Sequence, residues 1–205
     1  MTSPIDICNL ALGHIRAGRR IAALTENSEE ADACGQFYEM ARDTALAAYT
    51  WQFARRYAAP ALVTAPPAGY SQAYRVPDGC LQVIALRGSE ELAGQRHHCW
   101  TMPPLPIHDF VLAADDGGQL VLTNLSSAVM AYTSRVENPD AWSAPFRQAV
   151  GFLLASYISI PITGKEDLAK TNLGFYQDAL ESAKLHDISQ QNQQVQVASG
   201  VEARL

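Results

Sequence analysis

Trp51-Gln52-Phe53-Ala54-Arg55-Arg56 marks the point where the chain changes its hydrophobic period, and reading outward from it divides the molecule. Upstream, two apolar stripes recur at helical spacing. Ser3 is placed to cap the first helix, because its hydroxyl can accept from the backbone N–H of Asp6, with Pro4 pre-set at the first helical position and Asp6 favoured by the helix dipole. Ile5, Cys8, Leu12 and Ile15 then share one face, and Gly18 is expected to end the helix in a left-handed conformation. A second start falls at Ser28-Glu29-Glu30, after which Cys34, Tyr38, Ala41, Ala45 and Tyr49 repeat up to Trp51. Trp51 and Phe53 read as core anchors.

Downstream, Pro60, Pro66 and Pro67 remove backbone donors and discourage helix. Strands are expected at Leu81 to Leu86, Phe110 to Leu112, Gln119 to Thr123 and Ala128 to Val136, with turn signals at Pro77-Asp78-Gly79, Pro103-Pro104 and Asp115-Asp116-Gly117-Gly118. The last of these is the strongest hairpin signal, since glycine supplies the positive φ of a tight turn. Helical order is expected to return after Asn138-Pro139-Asp140 and to become regular near Ala144, with Ala149, Phe152, Leu153, Ser156 and Ile160 on one face and Pro161 as its end. Thr163 and Glu166 read as a capping box for a last helix carrying Leu168, Tyr176, Ala179, Leu180 and Ala183.

Two N-terminal and two C-terminal helices each offer an apolar stripe, and packing them together buries all four. The expected fold is therefore α+β: a four-helix bundle formed by the N- and C-terminal helices (1–57 and 138–187), an inserted small antiparallel β domain (58–137), and an extended C-terminal tail (188–205). The tail, with Ser189-Gln190-Gln191-Asn192-Gln193-Gln194-Val195-Gln196-Val197, is too polar to pack a core by itself and is expected to be extended or disordered in the free subunit. Alternating Val195 and Val197 leave three readings open: a strand added to a neighbour, an arm laid along a neighbour's groove, or a floppy terminus without purpose.

At 205 residues with a 48% hydrophobic fraction, the chain can build an ordinary core. Four widely spaced cysteines, Cys8, Cys34, Cys80 and Cys99, form no Cys-x-x-Cys pair and suggest neither a zinc site nor a disulfide framework, so reduced thiols in a cytoplasm are expected. No signal-peptide pattern opens the sequence and no apolar run reaches the roughly 20 residues of a membrane span, so a soluble, unsecreted protein is expected. A formal net charge of −6 argues against broad electrostatic capture of nucleic acid.

The run Ile7-Cys8-Asn9-Leu10-Ala11-Leu12-Gly13-His14-Ile15, the start Ser28-Glu29-Glu30-Ala31, Tyr38, Arg42-Asp43, Trp51-Gln52-Phe53-Ala54 and Tyr74-Arg75-Val76-Pro77-Asp78 resemble the head-to-tail adaptor family of tailed bacteriophages, which includes the tail tubular protein A and tail accessory factor types. The likeness continues from Asp140 through Pro161-Ile162-Thr163 to Tyr176 and Leu180, and is absent from Gly88 to Ser127. The resemblance implies a virion protein at the head–tail junction, made in the host cytoplasm, that forms a dodecameric ring beneath the portal protein. A downstream tail or nozzle protein would bind below it, and packaged DNA would pass through its channel without specific binding or membrane contact. It also implies a docking role for the tail, carried by Ile188, Gln191, Gln194, Val195, Val197 and Leu205.

Arg19-Arg20 and Arg55-Arg56 are expected to be solvated or salt-bridged, or to serve a subunit interface for which Arg42 and Asp43 supply a complement. No catalytic residue, cofactor or metal ligand is expected. His97-His98-Cys99 is the one metal-like cluster, but adjacent residues of a strand point to opposite faces. His108-Asp109 lacks a nucleophile with a Gly-x-Ser-x-Gly elbow. A small metal-dependent or hydrolytic enzyme built on these two clusters is the competing reading. A different neck or tail-completion ring protein is a third.

Overall fold

The computed structural model describes residues 2–63, 66–90 and 107–202, with side chains as far as residue 190. Among them the fold is α+β, with four α-helices and two antiparallel sheets. The chain divides into two compact units, one of residues 1–53 and 136–205, the other of residues 54–135.

In the first unit, α1 (Pro4–His14) begins at the expected Ser3 cap, whose hydroxyl accepts from Asp6 N while the Asp6 carboxylate accepts from Ser3 N at 2.7 Å. Gly18 does not end this helix. It stops at His14, and the chain turns through Arg16 at φ 56°, with Arg16 N–H bonded to Gly13 O and Ala17 N–H to Leu12 O. Those bonds satisfy the last carbonyls before Gly18 is reached. Helix α2 (Glu29–Ala47) is capped by Ser28 and buries Cys34, Tyr38, Ala41 and Ala45 as its spacing predicts.

Asn138-Pro139-Asp140 starts only a 3-10 turn, Pro139–Ala141. Helix α3 (Ala144–Thr163) follows from Ser143, whose hydroxyl accepts from Phe146 N. Pro161 does not terminate α3. It sits in the last turn, where the loss of one amide donor is tolerated, and the stop is Gly164 in the left-handed conformation with its N–H on Ile160 O at 2.9 Å. Thr163 is spent inside α3, its hydroxyl donating to Ser159 O at 2.6 Å, so the expected capping box with Glu166 does not form. Helix α4 (Glu166–Glu202) completes the unit.

Helix α3 contacts each of α1, α2 and α4. Aromatic pairs mark all three contacts: His14 stacks on Phe152, Phe37 meets Tyr157, and Phe152 meets Phe175. At one end Trp51 is fully buried against Tyr49, Phe53 and Phe146, which also touches Trp142. The hexapeptide thus begins as the aromatic plug of the helical unit.

The second unit holds seven strands: β1 (Arg55–Ala58), β2 (Leu62–Val63), β3 (Gln72–Arg75), β4 (Cys80–Gly88), β5 (Val111–Asp115), β6 (Gly118–Thr123) and β7 (Ala128–Ser134). They form a β1-β7-β4 sheet and a β2-β3-β6-β5 sheet. β4 to β7 fall on the four expected segments; β1, β2 and β3 were not foreseen. Arg55-Arg56-Tyr57-Ala58 has no strand pattern of its own and is extended because it pairs with Met130 to Thr133 of β7. The hairpin closes as expected at Asp115↔Gly118, with Gly118 at φ 120°. Leu86, Ala128 and Met130 of one sheet pack on Tyr74 and Val121 of the other, which joins the sheets through one core.

Helix α4 also corrects the tail. The segment expected to be extended is helical as far as Glu202. Propagating a helix that is already nucleated fixes one residue per bond gained, and glutamine is a good helix former, so a polar run without proline continues a helix it could not have started.

Candidate functional site

The residues assigned to docking, apart from Leu205, lie on the C-terminal part of α4. The buried face of this helix runs through Asn172, Tyr176, Leu180, Ala183 and Asp187 at helical spacing. Asp187 is the last of them among residues with described side chains. Its carboxylate, only 5% exposed, accepts the backbone N–H of Gln52 at 3.2 and 3.3 Å, which ties the aromatic plug to α4. Beyond it Ile188, Ser189 and Gln190 are all exposed, while the backbone stays helical to Glu202. That continuation adds roughly 20 Å of helix at 1.5 Å per residue.

Leu185 and Ile188, one turn apart, present 68% and 42% of their surface to solvent. Of the residues expected to dock, Ile188 is thus an exposed apolar side chain. Gln191, Gln194, Val195 and Val197 lie on the helical continuation, and Leu205 lies outside the described residues.

Arg19 is exposed and 3.8 Å from Glu26, whose Oε1 accepts from Ala22 N and Ala23 N; this pair belongs to its own loop. Arg20 is exposed beside it. Arg42 is 4% exposed, its Nε donates to Asp43 Oδ1 at 2.8 Å, and its guanidinium lies 6.0 Å from the Tyr38 ring centre. Its charge is therefore engaged within the helical unit. Arg55 and Arg56 belong to the β unit: Arg55 is half-buried on β1, and exposed Arg56 donates to the Arg55 carbonyl at 2.9 Å.

For the enzyme reading, His97, His98 and Cys99 lie outside the described residues. His108 N–H donates to Leu86 O at 3.1 Å, and the Asp109 carbonyl accepts from Thr123 Oγ1 at 3.0 Å, so the backbones of both residues hold the start of β5 against its neighbours. Among the described residues no group of three or more His, Cys, Asp or Glu side chains comes together to hold a metal ion, and no helix is long and apolar enough to cross a membrane.

Three residues that position these elements were missed in the sequence. Asn9 closes the α1–α2 loop by bonding both Ile21 N and Ile21 O at 2.9 Å, Glu26 caps the backbone of the same loop, and Asp187 holds Gln52. The only signal was Asn9 itself, a polar residue set among the apolar positions of α1. No protein-family model matches the chain, and no curated protein matches it either.

Proposed function

We propose that the protein is a structural ring subunit of a tailed-phage or prophage virion, a head-to-tail adaptor that seats beneath the portal, extends the DNA channel and offers a platform to the next tail component. The observation that supports it best is α4, which carries exposed Leu185 and Ile188 on either side of buried Asp187 and continues as helix to Glu202. The run of resembling motifs from Ile7 to Ile15, at Trp51-Gln52-Phe53-Ala54 and at Tyr74 to Asp78 supports the same reading.

In this reading the four helices are a bundle with α3 as its spine, and the docking arm is a formed helix laid in a groove of the portal, with Leu185 and Ile188 as apolar anchors. A formed helix has less conformational entropy to lose on docking than a disordered arm. Each seated subunit raises the effective concentration seen by its neighbours, so a ring closes on the portal template. Downstream, the ring meets a tail or nozzle protein, and DNA passes through without specific contacts.

The test is retention of full-length and 1–187 subunits on purified portal rings, followed by electron microscopy of what is retained. The truncated subunit should keep the melting temperature of the full chain, because the glutamine-rich sequence of the deleted segment offers few apolar side chains to a core, and should lose portal retention. Equal retention of both would place docking elsewhere. Failure of the full-length chain to bind portal at all would overturn the adaptor reading.

A further inference from the structure

The sheets of the β unit, ordered β1-β7-β4 and β2-β3-β6-β5, end in β1, β4, β2 and β5. A sheet edge offers unpaired backbone groups to any passing strand, and proteins guard it with short strands, prolines, bulges or covering chain. β2 is guarded, being two residues long with Pro60 ahead of it. β4 is guarded as well, by register shifts at Cys80/Gln82 and Val83/Ala85 and by His108, whose N–H bonds Leu86 O at 3.1 Å. β1 and β5 have none of these devices, and among the described residues no strand lies beyond either. Both expose apolar surface: Tyr57 on β1 by 57%, Val111 and Leu112 on β5 by 48% and 54%.

The register shows which backbone groups point outward. Ser134 N–H donates to Ala54 O, so Arg56 and Ala58 bond to β7, and Arg55, Tyr57 and Ala59 face away from it. The Arg55 carbonyl is taken by Arg56 Nη1 at 2.9 Å, which leaves Tyr57 and Ala59. Val76 N–H donates to Gln119 O, so alternate residues of β6 serve β3, the others bond Val111, Ala113 and Asp115, and Leu112 and Ala114 of β5 face outward. The two edges differ in charge: β1 begins with Arg55-Arg56, whereas Asp109 precedes β5 and Asp115-Asp116 close it. They also lie on opposite flanks, since β1 leads directly into β2 while the His108–Leu86 bond brings β5 beside β4.

We propose that β5 of one subunit pairs antiparallel with β1 of a second copy of this chain, Ala114 opposite Tyr57 and Leu112 opposite Ala59. In this register Asp116 faces Arg55 and Asp115 faces Arg56. Pro60, which has no N–H, falls opposite Val111, whose own groups are spent on β6. Arg55 Nε is buried without a hydrogen-bond partner, Asp116 is exposed, and neither residue belongs to an ion pair among the described residues. A second β5 is the wrong occupant, because antiparallel pairing sets the acids of each strand against those of the other. Unlike edges on opposite flanks make the contact head-to-tail, so it repeats from subunit to subunit and does not close as a pair. The contact stands on the edges of the β unit; only its closure into a ring rests on the adaptor reading.

The test uses the full chain with benzoylphenylalanine in place of Tyr57, mixed with heavy-isotope-labelled parent chain. The mixture is irradiated at low salt, both free at high concentration and seated on portal rings, then digested for mass spectrometry. Mixed-isotope peptides joining position 57 of one copy to Val111–Asp116 of the other are expected, and their appearance on portal alone still supports the contact. Arg55→Glu and Asp116→Arg should each lower their yield about tenfold by setting like charges together, and the double variant should restore it. Asp116→Arg changes an exposed turn residue and keeps the test sound should Arg55→Glu fold poorly. The proposal is overturned if no such peptide forms in either setting, if position 57 links elsewhere, or if Asp116→Arg leaves the yield unchanged. Portal binding without the link overturns the contact and spares the adaptor reading, whereas the link in a chain that does not bind portal does the reverse.

Discussion

Replacing Trp51 by alanine removes the largest fully buried side chain of the helical unit. Its ring centre lies 4.8 Å from that of Phe146, 5.0 Å from Tyr49 and 5.9 Å from Phe53, and its indole N–H donates to the Ala45 carbonyl at 3.1 Å. Truncating a buried aromatic of this size costs about 3–5 kcal/mol through lost transfer energy and the cavity left behind. The hydrogen bond adds at most about 1 kcal/mol, because the same carbonyl still accepts from Ala48 N at 3.4 Å. A loss of about 4–5 kcal/mol follows, equivalent to a fall of roughly 10–15 °C in melting temperature for a chain of this size. Helical ellipticity during urea and thermal unfolding is the appropriate readout, since two compact units need not melt together. Trp51→Phe, which keeps a ring and loses the donor, should cost only about 1–2 kcal/mol. A Trp51→Ala variant within about 0.5 kcal/mol of the parent, the range of an ordinary surface change, would refute the plug. So would a Trp51→Phe variant that is equally damaged.

Asp187→Ala leaves the Gln52 N–H without its acceptor and should destabilise by about 1–3 kcal/mol in urea unfolding, with Asp187→Asn less costly because an acceptor oxygen remains. Gly164→Ala meets no atom within 4 Å but is forced to φ 66°, so a backbone cost of about 1 kcal/mol alone is expected, and a neutral result would mean that the α3 stop relaxes. The Arg75 guanidinium holds the Asp115 carboxyl below the ordinary aspartate range, against the opposing effect of desolvation and with further help from the Gly117 N–H. A group depressed in the folded state stabilises above its unfolded value and loses that contribution as pH falls through the folded one. Carboxyl NMR should therefore show Asp115 titrating low, and Arg75→Ala should move its midpoint upward; an unmoved midpoint would mean that the pair is not formed in solution.

The capped helix starts at Ser3 and Ser28, the helix beginning at Ala144 and the Asp115–Gly118 hairpin were legible because each is decided within a few residues, by a hydroxyl facing an orphan N–H, a fixed proline φ or a glycine at positive φ. Wherever the deciding partner is distant, the sequence was silent or misleading. Arg55 to Ala58 are a strand only because β7 lies beside them, Gly18 was preempted by the bonds that close α1 at Arg16, and the polar tail continues a helix begun far upstream in α4. The docking residues were named on a resemblance, and the structure adds the physical setting of Leu185 and Ile188, exposed on either side of the anchor Asp187. The tie from Asp187 to Gln52 joins positions 135 residues apart. Local chemistry sets where elements start and turn, whereas which buried groups meet is fixed by packing apolar faces, a choice that depends on the whole chain at once.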